Sequence, residues 1–288
     1  MTRHPGLARR AEQLLGSAVV ATAPVAGGDV SIATKLRLGN GTTALMKTMT
    51  QAPSGFFECE AWGLRWLAEA TVDGGVRVPE VLAVEADCLV LAWVEPGRPS
   101  GDDAAALGRS LAATHAAGAA AYGAGRDGFI GRLPLPQGPT DTWAEFHARR
   151  RLLPFVRLAV DRGALEPDDA AVIEALAARI GELVPEEPPA RLHGDLWNGN
   201  VLWDTDGRAA LVDPAAHGGH RETDLAMLAL FGLPHLPRTL DAYAEVAPLA
   251  DDWQDRIGLF QLFPLLVHAC LFGGGYGARA TAIARRYL

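Results

Sequence analysis

The sequence has few cysteines and no long apolar run. Its three cysteines, Cys59, Cys88 and Cys270, lie far apart and form no CxxC pair. This spacing argues against a disulfide framework and against a zinc site, so we expect reduced thiols in a cytoplasmic protein. Because no uninterrupted apolar stretch reaches about 20 residues, we expect no transmembrane helix and no membrane partner.

Positive charge is also in deficit. The 288 residues carry 26 lysines and arginines against 34 aspartates and glutamates, a formal net charge of -8. Proteins that bind nucleic acid usually present a basic field, so we do not expect a nucleic-acid partner. The 49% of apolar residues permits a sizeable core and argues against disorder. With no heptad seam in the pattern, a monomer is expected.

The N-terminal segment has early arginines and a short run of small apolar residues, as a secretion signal has. Glu12 and Gln13 interrupt this pattern, and the apolar run continues into a strand-like segment. We therefore expect the segment to belong to the folded protein.

The first 95 residues are predicted to form mostly strands with one helix. Residues 17–38 alternate around a Gly-Gly pair, and Asn40-Gly41 is a hairpin turn signal followed by a strand that ends at Lys47. Residues 54–70 have apolar side chains at helical spacing, and residues 78–97 resemble a pair of strands. A small β-rich lobe is therefore expected over residues 1–95.

From residue 96 onward the pattern is mainly helical. Ser100, with Asp103 three residues on, is predicted to cap a helix. Thr140 is predicted to cap the next helix, which Pro154 bends or ends, and Pro167 is placed in the first turn of another.

Further helices are predicted at 222–232, 238–247, 251–272 and 277–287, and the Pro- and Gly-rich segment 128–139 is predicted to be a loop. The fold class expected is therefore α+β in two lobes, with a larger helical lobe over residues 96–288. A single hairpin is embedded in that lobe near 200–213.

That hairpin lies within "RLHGDLWNGNVLWDTDGRAALVDP", residues 191–214. Asp206-Gly207 is a two-residue turn signal, and such a turn places Asn200 directly opposite Asp213. Opposed residues of an antiparallel pair have Cβ atoms about 4.5–5.5 Å apart. Hard oxygen donors at this separation suit Mg²⁺, so the pair is a predicted metal site.

The same segment fits the pattern H-x-D-x-x-x-x-N, with His193, Asp195 and Asn200. In phosphoryl transfer such an Asp accepts or orients the proton of the attacking hydroxyl, and the Asn and a later Asp hold the metal. The alternative is a loop stabilised by Asx turns, with Asp213 ending a strand before a proline.

Phosphoryl transfer also needs a strand lysine that grips phosphates and a helix glutamate that pairs with it. Lys47 and Glu60 occupy these positions, with Glu58 as the rival for the glutamate. Gly27 and Gly28 would let backbone N–H groups approach a phosphate. Each residue taken singly has a simpler explanation. Lys47 could lie at a solvated strand end, Glu60 could lie on a solvated helix face, and the two glycines could form an ordinary turn.

Together the residues look like the protein-kinase-like superfamily and, within it, the fructosamine (ketosamine) kinase family. The segments that carry the resemblance are "HGDLWNGNVLW", "LVDPAAHGGHRETDLAMLALFG", "FFECEAWGLRWL", "VRVPEVL" and "LFGGGYGARA". The resemblance implies a two-lobed kinase fold and ATP- and Mg²⁺-dependent phosphorylation of the 3-hydroxyl of ketosamines. These acceptors are small molecules or protein-bound adducts, and the implied role is protein deglycation repair.

Carried over to this chain, the resemblance makes Asp195 the catalytic base and Asn200 and Asp213 the Mg²⁺ ligands. Lys47 would hold the phosphates and Glu60 would fix Lys47. It also makes residues 91–95 the hinge that receives adenine through its backbone, with Trp93 and Val94 at its centre.

The sequence departs from protein kinases at two positions. Asp213-Pro214-Ala215 replaces the DFG motif, and the stiffer proline argues against a switchable activation loop. Trp197 stands where protein kinases commonly carry a lysine two residues after the base, and it could stack on a sugar or an amine. The alternative for Trp197 is a core residue that supports the loop.

The segment that follows Asp213 contains three further polar residues whose roles the sequence leaves open. His217 and Glu222 could face the substrate or could be structural. Asp224 lies at a helix start, where it could cap the helix or hold residues 193–200, the segment around Asp195 that is called the catalytic loop.

Two rival functions remain: an aminoglycoside- or choline-type small-molecule kinase, and a nucleotide-binding pseudokinase. The presence of Lys47, Asp195, Asn200 and Asp213 argues against the pseudokinase.

Overall fold

The computed structural model describes residues 5–26 and 30–288. Gly27 and Gly28, predicted to approach a phosphate, lie outside these residues, so that prediction stays untested.

The N-terminal part is built on a five-stranded antiparallel sheet with the order β1-β2-β3-β5-β4. Its strands are β1 (Val19–Pro24), β2 (Ile32–Leu38), β3 (Thr43–Thr48), β4 (Val81–Glu85) and β5 (Cys88–Ala92). The predicted turn at Asn40-Gly41 is present, with Gly41 at a φ of 87°, a conformation that favours glycine. The strand pattern of this part is therefore confirmed.

Two helices pack on this sheet, α1 (Pro5–Leu15) and α2 (Phe56–Ala68). Helix α2 buries one face through Phe57, Leu64 and Leu67, as its apolar spacing predicts. Helix α1 was not predicted, and the expectation of a single helix in this part is wrong. Its packed face consists of Leu7, Ala8, Ala11, Leu14 and Leu15, which recur at helical spacing, so the sequence does carry a helical pattern here.

The rest of the chain is mainly helical, as expected. Its helices are α3 (Gly101–Ala116), α4 (Trp143–Phe146), α5 (Leu153–Asp161), α6 (Pro167–Ala177), α7 (Glu222–Phe231), α8 (Leu236–Val246), α9 (Trp253–Phe272) and α10 (Tyr276–Ala284). A π-helical segment, His147–Leu152, joins α4 to α5. The architecture is α+β, and the lobe boundary after residue 95 stays a prediction.

The caps of these helices agree with the sequence at two positions and correct it at a third. Ser100 and Asp103 form the predicted capping box of α3, and Pro167 lies in the first turn of α6. Helix α4, however, is capped by Thr142, whose hydroxyl accepts from the backbone N–H of Glu145 at 3.2 Å. The predicted cap Thr140 instead donates its hydroxyl to the carbonyl oxygen of Thr142 at 2.9 Å.

Three short antiparallel strand pairs complete the fold. They are β6 (Gly128–Ile130) with β7 (Leu133–Leu135), β8 (Ala190–Leu192) with β11 (His217–Gly219), and β9 (Val201–Trp203) with β10 (Ala209–Leu211). The prediction that 128–139 is entirely loop is wrong for β6 and β7. Proline is tolerated in β7 because this two-stranded ribbon consists of edge strands.

Helix α9 is long and apolar enough to cross a membrane by length and composition alone. It packs instead in the interior, with 61% of its most apolar window buried, against α5, α7 and α10. Core packing therefore accounts for its apolar composition.

The β9–β10 hairpin is attached to the segments that connect the two parts of the chain. The backbone N–H of Leu211 donates to the carbonyl of Arg77 at 2.9 Å, and that of Gly97 donates to the carbonyl of Trp203 at 2.7 Å. A Cβ atom at Gly97 would lie 2.0 Å from the carbonyl oxygen of Asp204, so this close approach requires glycine. The hairpin is thereby bonded to the segment that precedes β4 and to the segment that follows β5.

Candidate active site

The β9–β10 hairpin has a register one residue away from the predicted one. Val201 pairs with Leu211, and the backbone N–H of Val212 donates to the carbonyl of Asn200 at 3.0 Å. Asn200 therefore lies opposite Val212, and the predicted direct pairing of Asn200 with Asp213 is wrong.

The reason is the turn chemistry. The carboxylate of Asp204 accepts the backbone N–H groups of Asp206 and Arg208, both at 2.9 Å. Gly207 adopts a φ of 77°, and the backbone N–H of Asp204 donates to the carbonyl of Arg208 at 2.9 Å. The loop thus spans residues 205–207, a three-residue turn closed by a left-handed glycine, in place of the two-residue turn expected.

The two predicted metal ligands nevertheless line one cleft with the predicted base. This cleft has a volume of about 420 Å³ and is bordered by Lys47, Glu60, Asp195, Trp197, Asn200 and Asp213. Asp213 reaches it from a left-handed backbone conformation, with a φ of 54°. Such a conformation is uncommon for a residue with a side chain, and strained residues of this kind cluster at functional sites.

Asn200 and Asp195 are joined directly. The side-chain amide of Asn200 donates to the carbonyl oxygen of Asp195 at 2.8 Å and to its carboxylate at 3.2 Å. This orientation leaves the amide oxygen of Asn200 as the atom that can coordinate a metal. The five-residue spacing of the motif therefore brings base and predicted ligand into contact.

The carboxyl group of Asp195 is electrostatically perturbed. Burial raises its pKa to about 7, with a further contribution from the nearby charge of Asp213, while the hydrogen bond from Asn200 acts in the opposite direction. A carboxylate with a pKa near neutrality is well matched to accept a proton from a hydroxyl group.

Lys47 also lines the cleft. Its ammonium donates to both carboxylate oxygens of Glu60, at 2.8 and 2.9 Å, and also contacts the carboxylate of Asp213. Burial disfavours the charged form of Lys47, but Glu60 and Asp213 outweigh it and raise its pKa, so the side chain remains a cation. The rival Glu58 has a buried carboxylate oxygen with no hydrogen-bond partner among the described residues. The structure thus pairs Lys47 with Glu60.

The oxygen donors fit a magnesium site. An amide oxygen and a carboxylate are hard ligands of the kind that Mg²⁺ takes together with water and substrate phosphates. Within the described part of the chain, no group of three or more His, Cys, Asp or Glu could hold a metal by itself. A site made from Asn200 and Asp213 would therefore draw its remaining ligands from water and a nucleotide.

The catalytic loop is held from behind by His193. Its Nε2 donates to the carbonyl oxygen of Val212 at 2.8 Å, and its Nδ1 accepts from the backbone N–H of Asp195 at 3.2 Å. Burial lowers the pKa of His193, which favours the neutral ring that this pattern requires. The buried ring of His193 therefore links the catalytic loop to the segment that carries Asp213 by hydrogen bonds.

Asp224, at the start of α7, holds the same loop. Its carboxylate accepts the backbone N–H groups of His193 at 2.8 Å and Gly194 at 2.9 Å. His115 contacts the carboxylate of Asp224 through Nε2 at 3.2 Å and the hydroxyl of Tyr243 through Nδ1 at 2.8 Å. Of the two roles left open, holding the catalytic loop is the one observed. His115 and Tyr243 were missed, since nothing local in the sequence links them to this loop.

Gly194 within this loop cannot be replaced without strain. It adopts a φ of 81°, and a Cβ atom there would lie 2.2 Å from the carbonyl oxygen of Ala215. The glycine of the HGD motif therefore permits the close approach of the loop to the segment after Asp213.

A further missed residue is Gln137, which follows β7 in the chain and lines the cleft. The buried guanidinium of Arg151 donates to the side-chain oxygen of Gln137 at 2.9 Å and to the carbonyl of Pro136 at 2.7 Å. Because arginine can only donate, it fixes which end of the Gln137 amide is the oxygen. The Pro- and Gly-rich sequence around Gln137 gave no signal for this role.

The predicted substrate residues lie in different places. Trp197 lines the cleft and is 40% exposed. His217 is 3% exposed, packs on Phe146 and donates through Nδ1 to the carbonyl of Ala215 at 2.9 Å. Glu222 is 1% exposed and pairs with Arg256 at 2.7 Å. Neither His217 nor Glu222 borders the cleft, so the structure brings only Trp197 to the site.

The predicted adenine hinge lies at the C-terminal end of β5, between β3 and β4 in the sheet. The indole N–H of Trp93 donates to Glu95 at 2.7 Å, and the ammonium of Lys35 lies 4.2 Å from the ring centroid. The backbone N–H of Trp93 donates to the carbonyl of Thr43 at 3.2 Å, while Val94 is half-buried. The role of Trp93 and Val94 in nucleotide binding stays a prediction.

Comparison with known proteins extends these observations to the whole chain. A family model described as fructosamine kinase matches residues 6–288. A Thermus thermophilus relative named "probable ketoamine kinase" is 39% identical over 91% of this chain and 92% of its own length. An Arabidopsis thaliana relative, a chloroplastic protein-ribulosamine 3-kinase, is 31% identical over 92% of this chain and 81% of its own length.

Solved structures agree. A crystal structure from Thermobifida fusca, described as a "putative fructosamine-3-kinase", is 47% identical with a TM-score of 0.91, and the match covers 97% of each chain. A choline kinase of Streptococcus pneumoniae, 15% identical over 97% of this chain and 96% of its own, superposes with a TM-score of 0.61 and supports the protein-kinase-like fold alone. The family match and the identities over most of the chain are decisive: this chain belongs to the fructosamine kinase family of phosphotransferases.

Proposed function

We propose that the protein transfers the γ-phosphoryl group of ATP to the 3-hydroxyl of a ketosamine. The observation that carries the proposal is that Asp195, Lys47, Asn200 and Asp213 border one cleft, in which Asn200 contacts Asp195 and Lys47 contacts Asp213. Such a set positions a hydroxyl group, a phosphate chain and a metal against one another, and positioning accounts for most of the catalysis in phosphoryl transfer.

Asp195 is the proposed base. Its carboxylate orients the acceptor hydroxyl and takes its proton as the bond to phosphorus forms. The hydrogen bond from Asn200 to the carboxylate, and the bond that the backbone N–H of Asp195 donates to the ring of His193, keep the carboxylate and its loop in place.

Lys47 and Glu60 form the proposed phosphate grip. Glu60 holds the ammonium of Lys47 from one side, which limits its rotation and points its charge into the cleft. Asn200 and Asp213 would hold Mg²⁺, which when bound supplies positive charge that stabilises the transferring phosphoryl group. Gly27 and Gly28 remain predicted contacts of the phosphates, and Trp93 and Val94 of the adenine.

Trp197 is the proposed surface on which the sugar or its amine stacks. It lies two residues after the base, lines the cleft and keeps 40% of its surface exposed. An aromatic face suits both the C–H face of a sugar and the cationic amine of a ketosamine. The proposed acceptors are free or protein-bound ketosamines, and the proposed role is deglycation repair.

The test is ADP release by the purified protein with ATP and Mg²⁺ against fructoselysine, ribuloselysine, choline and kanamycin. Turnover is expected only with the two ketosamines, and NMR of the product should place the phosphate on the 3-oxygen. Turnover confined to kanamycin or choline would instead assign the chain to the rival small-molecule kinases.

A further inference from the structure

A row of aromatic rings extends from the cleft along α7, α9 and α10. Trp197 contacts Phe231 with ring centroids 6.1 Å apart, and Phe231 contacts His268 at 4.7 Å. His268 in turn lies 5.5 Å from Phe272 and 5.2 Å from Tyr276. These five residues are called the aromatic row.

The two ends of the aromatic row have different surroundings. Trp197 lines the cleft that contains Asp195, whereas Phe272 is the last residue of α9 and is 59% exposed. His268, in the middle, lines a small second cavity whose wall also includes Asp195 and Ile130. Because Trp197 lines the cleft and Phe272 is exposed, the row extends from the catalytic cleft to the protein surface.

The rings are held in place by the helices that carry them. His268 donates through Nδ1 to the carbonyl oxygen of Pro264 one turn earlier, at 2.7 Å, which fixes the plane of its ring. Phe231 ends α7, and Tyr276 begins α10. A preformed apolar surface that opens into a catalytic cleft is suited to bind part of a substrate.

We propose that the aromatic row binds the amine-side substituent of the ketosamine acceptor, as an aryl group or an alkyl chain. This inference rests on the proposed function. In a ketosamine the amine nitrogen is bonded to C1, two carbons from the 3-hydroxyl. With that hydroxyl at Asp195, the nitrogen lies within reach of Trp197 and its substituent continues towards Phe231 and His268.

The chemistry of the row defines the class of substituent. Its rings offer apolar faces, and a cationic secondary amine is attracted to the face of an aromatic ring. None of its five residues is a lysine or an arginine, so a carboxylate on the substituent gains no ion pair within the row. An aryl group, or the methylene chain of a glycated lysine, therefore fits the row better than a short acidic substituent.

The test compares the fructosamine adducts of 4-phenylbutylamine and methylamine as acceptors, since a substituent of that length can extend along the row to Phe272. The expected result is a kcat/KM for the phenylbutyl adduct about threefold to tenfold above that for the methyl adduct, the range that aromatic contacts supply. In Phe272→Ala the ratio should fall towards one, with the change carried by KM, because binding away from the reacting atoms is the same in the ground and transition states.

Val246→Ala is the control, since Val246 is also an exposed apolar residue, at 54%, and ends α8 away from the row. This variant should keep the wild-type ratio. A wild-type ratio of one, or an equal ratio in wild type and Phe272→Ala, would overturn the inference while leaving the proposed function intact. Absence of turnover with both adducts would instead refute the proposed function.

Discussion

The ammonium group of Lys47 contacts the carboxylate of Asp213 while it is held by Glu60. One carboxylate thus belongs both to the proposed metal site and to the proposed phosphate grip. Lys47 is one of only two lysines in the sequence, and the other, Lys35, pairs with the exposed Glu95 at 2.9 Å. The exposed Lys35–Glu95 pair can therefore serve as a control for the buried Lys47–Glu60 pair.

Replacing Lys47 by methionine should destabilise the protein and abolish phosphoryl transfer. The change leaves the buried carboxylate of Glu60 without its cation, and breaking a buried pair in this way costs about 3–5 kcal/mol. Lys35→Met removes an exposed pair, which contributes about 0–1 kcal/mol. Urea unfolding of both variants measures the difference, and equal losses of unfolding free energy would contradict the burial argument.

Asp213→Asn should raise the Mg²⁺ concentration needed for half-maximal activity. The variant keeps one oxygen donor but removes the negative charge that favours a divalent cation. Activity measured over a series of Mg²⁺ concentrations gives the shift, which we expect to exceed about tenfold because ligands and their partners typically contribute 10–100-fold to metal affinity. Asp206→Asn, an exposed change at the turn of the same hairpin, serves as the control. An unchanged Mg²⁺ requirement in Asp213→Asn would remove Asp213 from the metal site.

Asp224→Ala should lower kcat more than it raises the KM for either substrate. The carboxylate of Asp224 fixes the backbone of His193 and Gly194, next to the base, and is not itself in the cleft. Its loss leaves buried N–H groups unpaired, at about 1–3 kcal/mol each, and loosens the catalytic loop. Steady-state kinetics and urea unfolding measure both effects, with Asp241→Ala on the surface of α8 as the control. A variant with normal kcat would show that the loop does not need this anchor.

The stability of the fold should decrease below about pH 6.5. Burial lowers the pKa of His147 and His217 to about 3 and that of His220 to about 4. Between these values and 6.5 the unfolded chain binds more protons than the native state, so unfolding becomes easier as the pH falls. At pH 5 the loss is on the order of 1–2 kcal/mol for each of these histidines.

Urea unfolding at pH 7.5 and pH 5 checks this expectation. His147→Phe should flatten the pH dependence, since its ring stacks on Trp143 at 4.7 Å and packs near Phe260, contacts that a phenylalanine can keep. The same dependence on pH in the wild type and in His147→Phe would argue against His147 as a contributor.

Local patterns in the sequence were sufficient for much of this structure. The strand that carries Lys47 and the helix that carries Glu60 follow from periodicity, and their order along the chain brings the two side chains together. The short spacing between Asp195 and Asn200 likewise keeps base and ligand in contact.

Features that depend on side-chain bonds to the backbone, or on distant contacts, were not predictable in the same way. The observed hairpin register differs from the predicted one by one residue. The reason is that Asp204 accepts two backbone N–H groups, which makes the turn a three-residue loop and not the two-residue turn expected at Asp206-Gly207. His115 reaches Asp224 across 109 positions, a contact that no local pattern contains.

The most direct test of the proposed chemistry is the single-turnover rate of Asp195→Asn with ATP, Mg²⁺ and fructoselysine. The asparagine keeps the shape of the side chain but cannot accept the hydroxyl proton. The rate should fall about 10²–10⁴-fold relative to wild type, with ATP binding retained. A rate within a few fold of wild type would contradict the assignment of Asp195 as the base.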